Sequence, residues 1–318
     1  MRRSLIFVCV LCVGWRLEAQ PPAIGQNGVV NQASQIVPSL AGGVLARGAR
    51  IEVRGVRLVA GDGKTAVVLH HGDSNIPLTI LSAGATLILA RIPQDAPLGA
   101  ATLTVIANGS SVLFPVEIAT SNPGLYSRNG EGWGPGRIDN LDAQGKRTAN
   151  ARSNAARPGQ RVVLAATGLG PATAIRVLVG GRSSPATARK TERPGEEELQ
   201  FAIPWDAPAG CSVPVYVHAA PKRASNVVTV AIDPRGRCED PFISGSIADA
   251  APNRLLVAVF SRTLMKSADP PVESIYDEAV ISFANVAANA RSSPLMLPPP
   301  PGTCVAYSGS FQTTTMLP

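Results

Sequence analysis

Ile92-Pro93-Gln94-Asp95-Ala96-Pro97-Leu98-Gly99 returns as Ile203-Pro204-Trp205-Asp206-Ala207-Pro208-Ala209-Gly210, 111 residues later. The same offset carries Gly48-Ala49-Arg50-Ile51 onto Gly159-Gln160-Arg161-Val162. Repetition at a constant offset marks duplicated modules. The chain therefore reads as small domains in series, without one large core around a buried catalytic centre. Both copies of the proline segment fit a structural corner: proline stiffens the connection and withholds a donor, and glycine permits positive φ. Asp95 and Asp206 are suited to hold these turns by side-chain to backbone bonds.

Outward from these corners the pattern is β throughout. Arg50-Ile51-Glu52-Val53-Arg54 and Ala101 to Ala107 alternate with period two, as half-buried strands do. Asn108-Gly109 is a hairpin turn, with Ser111 to Val116 as the returning strand. Arg161 to Ala166, Ile175 to Val179, Leu199 to Ile203, Val213 to His218 and Val227 to Ile232 supply the second copy. The fold class is all-β: tandem immunoglobulin-like β-sandwiches followed by a third, partly irregular β-rich C-terminal region. The expected domains are an immunoglobulin-like module at 20–121, a Gly-rich connecting loop region at 122–155, a second module at 156–234 and a C-terminal region at 235–318. The connecting region includes a hairpin candidate at Asp142 to Gly145. In the last region Leu255 to Phe260 reads as a strand, 272–287 fits helix and strand equally, and Pro298 to Pro301 imposes polyproline II locally. The region ends on a polar, Thr-rich run and reads either as an incomplete domain or as one with a disordered tail.

The N-terminus has the form of a secretory signal over residues 1–19. Arg2 and Arg3 precede the apolar run Leu5 to Trp15, which is too short for a membrane span of about 20 residues. No later stretch has the length and apolarity of a transmembrane helix. The expected address is outside the cytoplasm: extracellular, cell-surface or periplasmic. Cys211, Cys238 and Cys304 remain beyond the leader. An odd number in an oxidising compartment leaves one unpaired. Cys238 with Cys304 is the candidate disulfide, because both flank the last region; Cys211 with Cys238 is the alternative.

Aromatic residues make up 4% of the chain and the formal net charge is +7. Single-stranded nucleic-acid binding needs aromatics among basic residues, so nucleic acid is excluded as a partner. A mild positive charge on an exported chain suits solubility or polyanionic surface polymers. Arg47, Arg50, Arg54 and Arg57 form a basic cluster, with Arg50 and Arg54 as candidate contacts to such a polymer against the alternative of an ordinary solvated strand face. Trp133, in the run Gly130, Gly132, Gly134, Gly136, is a candidate for stacking on a sugar face or for capping the module's core.

Catalytic and cofactor signatures do not stand out. His70-His71 would point to opposite strand faces, so no metal ligands are assigned. The stretch Asp139 to Gly145 lacks the carboxylate spacing of a calcium loop. The G-x-S-x-G elbow is missing, and the alternating glycines do not open a helix after a strand. No catalytic residue and no cofactor is assigned.

Gly28-Val29-Val30-Asn31-Gln32-Ala33-Ser34, Asn122-Pro123-Gly124-Leu125-Tyr126, Ala165 to Gly170 and the Ile203-Pro204-Trp205-Asp206 turn together resemble the two-module domain of secreted Solibacter-type acidobacterial proteins. The modules also resemble immunoglobulin-like IPT/TIG domains. The resemblance covers about residues 28–232 and implies paired immunoglobulin-like folds on exported proteins, with no reaction attached. The functional expectation is an exported, non-enzymatic interaction or spacer module with an extracellular protein or polysaccharide partner. A carbohydrate-binding accessory protein is the alternative, and an enzyme with its site in 235–318 is the second.

Overall fold

The computed structural model describes residues 20–238, apart from 41, 61–63, 172–174 and 221–222, together with the backbone of 253–268 and 271–286. The expected leader, Cys304 and the polyproline run lie outside the described residues. The described elements are strands, as the alternating patterns require.

The first sandwich is built from β1 (Ala23–Asn31), β2 (Leu45–Ala46), β3 (Arg50–Val56), β4 (Ala66–His71), β5 (Ser74–Pro77), β6 (Thr79–Ala83), β7 (Leu87–Arg91), β8 (Gly99–Ala107) and β9 (Ser110–Ala119). One sheet has the order β1-β3-β7-β6 and the other β2-β9-β8-β4-β5. Period-two alternation decides which side chains go inside. Ile51 and Val53 of β3 are fully buried while Arg54 is exposed; Leu103 and Val105 of β8 are likewise buried. They meet Leu69, Ile88, Ile92 and Ile118 in one core. Each fully buried aliphatic side chain contributes about 1.5–3 kcal/mol. Asn108 and Gly109 adopt φ of 52° and 72° and close the β8–β9 hairpin. Two adjacent positive φ values match the twist of the flanking strands.

The second sandwich contains β10 (Gly124–Leu125), β11 (Ile138–Leu141), β12 (Arg147–Ala149), β13 (Arg161–Thr167), β14 (Ile175–Val179), β15 (Arg182–Lys190), β16 (Glu197–Ala202), β17 (Gly210–Ala220), β18 (Arg223–Ala224) and β19 (Val228–Ile232). β15 pairs with β14 up to Ala186 and with β16 from Ala186 onward, so the ten strands form one continuous hydrogen-bonded sheet. In the first sandwich the matching path breaks at Leu78, between β5 and β6. The second core gathers Ile138, Leu164, Val177, Leu199, Phe201, Val215 and Val230.

The Gly-rich stretch 122–155, expected from sequence to connect the modules, belongs to the second sandwich. β10 and β11 lie end to end on the same edge of β13: Gly124 faces Thr167, Leu125 faces Ala166, then Ile138 faces Leu164 and Asn140 faces Val162. β1 treats β3 in the same way, with Ala23 opposite Val56, Ile24 opposite Gly55, Val29 opposite Val53 and Asn31 opposite Ile51. β10 and β11 together are thus the counterpart of β1. The four residues 25–28 that leave the ladder in the first copy become the twelve residues 126–137 in the second. The actual link between the sandwiches is 120–123.

The backbone of the last region forms an antiparallel pair, β20 (Asn253–Ala268) with β21 (Pro271–Val286). The segment whose pattern fits both helix and strand is therefore strand.

Candidate functional site

The short link is held by both modules. The Asn122 amide donates to the carbonyls of Gly42 and Val44, both at 2.7 Å, and its N–H donates to the Gly168 carbonyl at 3.0 Å. Ser121 donates to the Leu169 carbonyl at 2.8 Å. Gly168 takes φ of 72°, and a Cβ there would meet the Asn122 carbonyl at 2.8 Å and the Ala46 and Ala49 side chains at 3.2 and 3.3 Å. Glycine is required on both counts, by conformation and by close approach.

Beside this contact lies a charged cluster. Glu196, 5% exposed, accepts from Arg50 at 3.3 Å and from Arg137 at 2.6 Å, with Arg193 at 3.7 Å. Arg50 comes from the first sandwich; its N–H also donates to Thr167 Oγ1 at 3.0 Å, and that hydroxyl donates to the Gly195 carbonyl. Tyr126 donates to Gln32 of the first module at 2.9 Å and carries the Arg137 guanidinium 4.8 Å above its ring. Burial pushes the Tyr126 phenol up to about 12, against the opposing influence of Arg50.

This geometry alters the reading of several candidates. Glu196 to Glu198 are all engaged by groups of the chain itself. Glu196 is buried, and Glu197 accepts from the Leu169 N–H, its carboxyl raised above the usual range by burial. Glu198 forms a two-bond pair with Arg147, which holds its carboxyl below that range. Arg50 and Arg54 do not form a free basic stripe. Arg50 is engaged by Glu196, and Arg54 pairs with Glu52 and donates to Gln35. Arg47 and Arg57 donate to the carbonyls of Ala96 and Pro21. These cations already face acceptors of the chain itself, so Arg50 and Arg54 are not an unpaired stripe; Arg54 remains exposed, with a side-chain exposure of 51%.

The insertion 126–137 folds back on the module. The Arg128 N–H donates to the Pro135 carbonyl, and Asn226 and the Thr229 N–H take the carbonyls of Gly132 and Gly134. Gly130, Gly132 and Gly134 all adopt positive φ, which explains the alternation. Trp133 is 8% exposed. An indole buried to that degree presents no face for a sugar, so Trp133 is corrected from contact residue to part of the interior. Between the insertion and the sheet lies a polar cleft of about 170 Å³, lined by Arg128, Arg137, Asp139, Val163, Ala165 and Glu198.

The expected disulfide is also different. Cys211 bonds to Cys238, with Cα atoms 5.5 Å apart, replacing the Cys238–Cys304 pair. The physical reason is proximity: Cys211 opens β17 beside β19, and Cys238 follows β19 after a turn, so both pack with Ala155 and Ala231.

His70 lies against Asn75, and His71 against the Leu98 carbonyl at 3.1 Å. Among the described residues no group of three or more His, Cys, Asp or Glu could hold a metal. Asp142 closes the β11–β12 hairpin by accepting from the N–H groups of Gln144 and Lys146.

The two proline corners are closed alike, although Gly99 takes a φ of 101° and Gly210 is not among the positive-φ glycines. Ala96 donates to the Pro93 carbonyl and Ala207 to the Pro204 carbonyl, so main-chain bonds close both turns. Ile92 and Ile203 anchor the corners in their cores. Asp206 pairs with Arg182 at 3.2 Å instead of bonding its own turn. The copies differ at two positions, Leu98 against Ala209 and Gln94 against Trp205. Trp205 is 82% exposed and lies on Gly159, where the first copy has Gln94 lying on Gly48. Sequence reading overlooked Trp205 because it sat inside a segment read as structural. The signal available was the Gln-to-Trp difference at an otherwise repeated turn.

No family model and no curated protein matches the chain. Among solved structures it is similar to the mixed-linkage glucan utilization locus protein SGBP-B of Bacteroides ovatus, in complex with a mixed-linkage heptasaccharide, at 13% identity over 77% of this chain and 64% of that one, TM-score 0.32. It is also similar to domains 5–6 of the S-layer protein SbsC, at 10% identity over 66% and 98%, TM-score 0.28. The surface glycan-binding protein PbSGBP-B of Prevotella bryantii matches at 12% identity over 68% and 42%, TM-score 0.23. The chain covers between 42% and 64% of the first four solved structures it matches. At these scores the likenesses carry no argument about a ligand.

Proposed function

We propose that the chain is an exported, non-catalytic interaction module in which two β-sandwiches act as one rigid body outside the cytoplasm. The observation that carries this reading is the clamp of Glu196 by Arg50 from one sandwich and Arg137 and Arg193 from the other. A flexible string of domains has a longer link and few contacts across it. Here the link is four residues long and bonded on both sides, so the loops of one sandwich keep a fixed geometry relative to the other.

Small-angle scattering tests the rigid body. The full-length protein should give a profile of fixed shape, and Glu196→Ala should broaden it toward independent modules; identical profiles overturn the clamp. Turnover in a panel of glycoside and peptide substrates overturns the non-catalytic reading. A second reading makes the partner a polysaccharide. It is favoured by one observation, the exposed indole of Trp205 in a chain poor in aromatics.

A further inference from the structure

We propose that the corner around Trp205 is a binding site for a pyranose ring of a neutral polysaccharide. The site rests on the polysaccharide reading above and gives it a location and a ligand class. Three turns meet at this end of the second sandwich. The 203–207 corner carries Trp205, the 157–160 turn supplies Gly159 beneath it, and the β14–β15 turn brings Arg182 to Asp206. Gly180 of that last turn packs on Pro208, which holds it against the corner.

The indole is not there for the fold. The same turn in the first copy closes with Gln94 over Gly48, by the same main-chain bond. A side chain left 82% exposed gains little from burial. What the larger ring adds is a flat, polarisable surface. Gly159 lacks the Cβ that would lift it, and takes φ of 77°, so the ring is braced by the backbone below. A braced ring loses little conformational freedom when a ligand stacks on it.

The neighbouring polar groups define the ligand. A guanidinium donates only and a carboxylate accepts only. Arg182 and Asp206, at 57% and 68% side-chain exposure, therefore offer one donor and one acceptor side by side. Adjacent hydroxyls on a sugar can accept from the first and donate to the second. A hexopyranose with equatorial hydroxyls also has a face of axial C–H bonds, which suits the indole. The Arg182–Asp206 pair is internally balanced, so it offers hydrogen bonds without a net charge, which suits a neutral sugar.

A protein partner fits the surface less well. Protein hot spots sit inside a ring of occluding contacts. Among the described residues the other large exposed apolar side chains, Leu40, Val56, Leu87, Leu98, Ile106 and Leu113, all belong to the first sandwich. Trp205 is the one large apolar side chain exposed in the described part of the second sandwich, so a broad ring of occluding apolar contacts is missing around it.

Affinity electrophoresis of the full-length protein tests the site, using native gels cast with mixed-linkage β-glucan or hydroxyethyl-cellulose, and with polygalacturonate as the anionic comparison. The neutral gels should retard the protein, and added salt should not abolish the effect. Trp205→Ala should weaken retention roughly ten-fold or more, as loss of a stacking anchor does. Trp205→Phe should keep part of it, and Asp206→Ala should weaken it. Unchanged melting temperatures will show that these surface variants fold. Ligand should also shield Trp205 fluorescence from acrylamide quenching. If no gel retards the wild type, the polysaccharide reading falls and the site falls with it. If Trp205→Ala is retarded as strongly as wild type, only the site falls. Retention in polygalacturonate alone overturns the neutral class. Self-association that Trp205→Ala abolishes, without retention in any gel, makes the indole a protein contact and overturns the proposal.

Discussion

The Glu196 carboxylate receives the Arg50 guanidinium at 3.3 Å across the junction of the two sandwiches, although 146 residues separate them in the chain. Both side chains are largely buried, and Arg137 takes the second carboxylate oxygen at 2.6 Å. Removing the carboxylate would leave Arg50 without its counter-charge. Breaking a buried pair from one side costs roughly 3–5 kcal/mol, less where the stranded partner reaches water. Glu196→Ala should lower stability by about 3 kcal/mol in urea unfolding. A loss below about 0.5 kcal/mol, the size of an ordinary surface substitution, would show that the pair does not bind the modules together.

The two glycine positions separate conformation from packing. Gly145 has φ of 81° with open space around it, and Gly159 has φ of 77° with the Trp205 ring where a Cβ would sit. Alanine in the left-handed region costs about 1–2 kcal/mol on its own. Gly145→Ala should cost that amount in thermal unfolding, and Gly159→Ala should cost more while shifting the emission of Trp205. Equal losses would mean that the indole does not rest on Gly159.

The Cys211–Cys238 bond closes a loop with a sequence separation of 27. Chain-entropy arguments give about 3.5 kcal/mol for a loop of that size. Reduction, or Cys211→Ser, should lower stability by that order. Peptide mapping under non-reducing conditions should recover a linked peptide joining Cys211 to Cys238. Recovery of Cys238 joined to Cys304 would contradict the Cys211–Cys238 pairing.

Tyr126 gives the fold an alkaline limit. Its phenol is raised by burial from 10.0 to about 12. The unfolded chain ionises first, so the stabilisation is complete below about pH 10 and disappears as pH rises toward 12. The two-unit difference corresponds to about 2–3 kcal/mol. Denaturation across pH 9–12 should show this loss in the wild type, and a shallower slope in Tyr126→Phe. Parallel slopes would contradict it.

Much of the fold is legible in the chain because strand burial follows a period of two, which sequence displays directly. Ile51 and Val53 inside with Arg54 outside, and the Asn108-Gly109 hairpin, could be read residue by residue. The insertion was harder. Residues 122–155 carry the Gly-rich composition of a loop, yet Gly124 to Leu125 and Ile138 to Leu141 pair with β13 across a separation that local patterning does not register. The tryptophans meet the same limit. Trp133 and Trp205 both stand in turn-like segments, and only the packing around them buries one and exposes the other.

The sequence by itself determined the strands and the Asn108-Gly109 hairpin turn, since these follow from local conformational preference and periodicity. Tertiary structure alone decided which arginines meet Glu196, which cysteine meets Cys238 and which tryptophan faces solvent. Those outcomes depend on distances between segments far apart in the chain, and such distances exist only once both cores have closed.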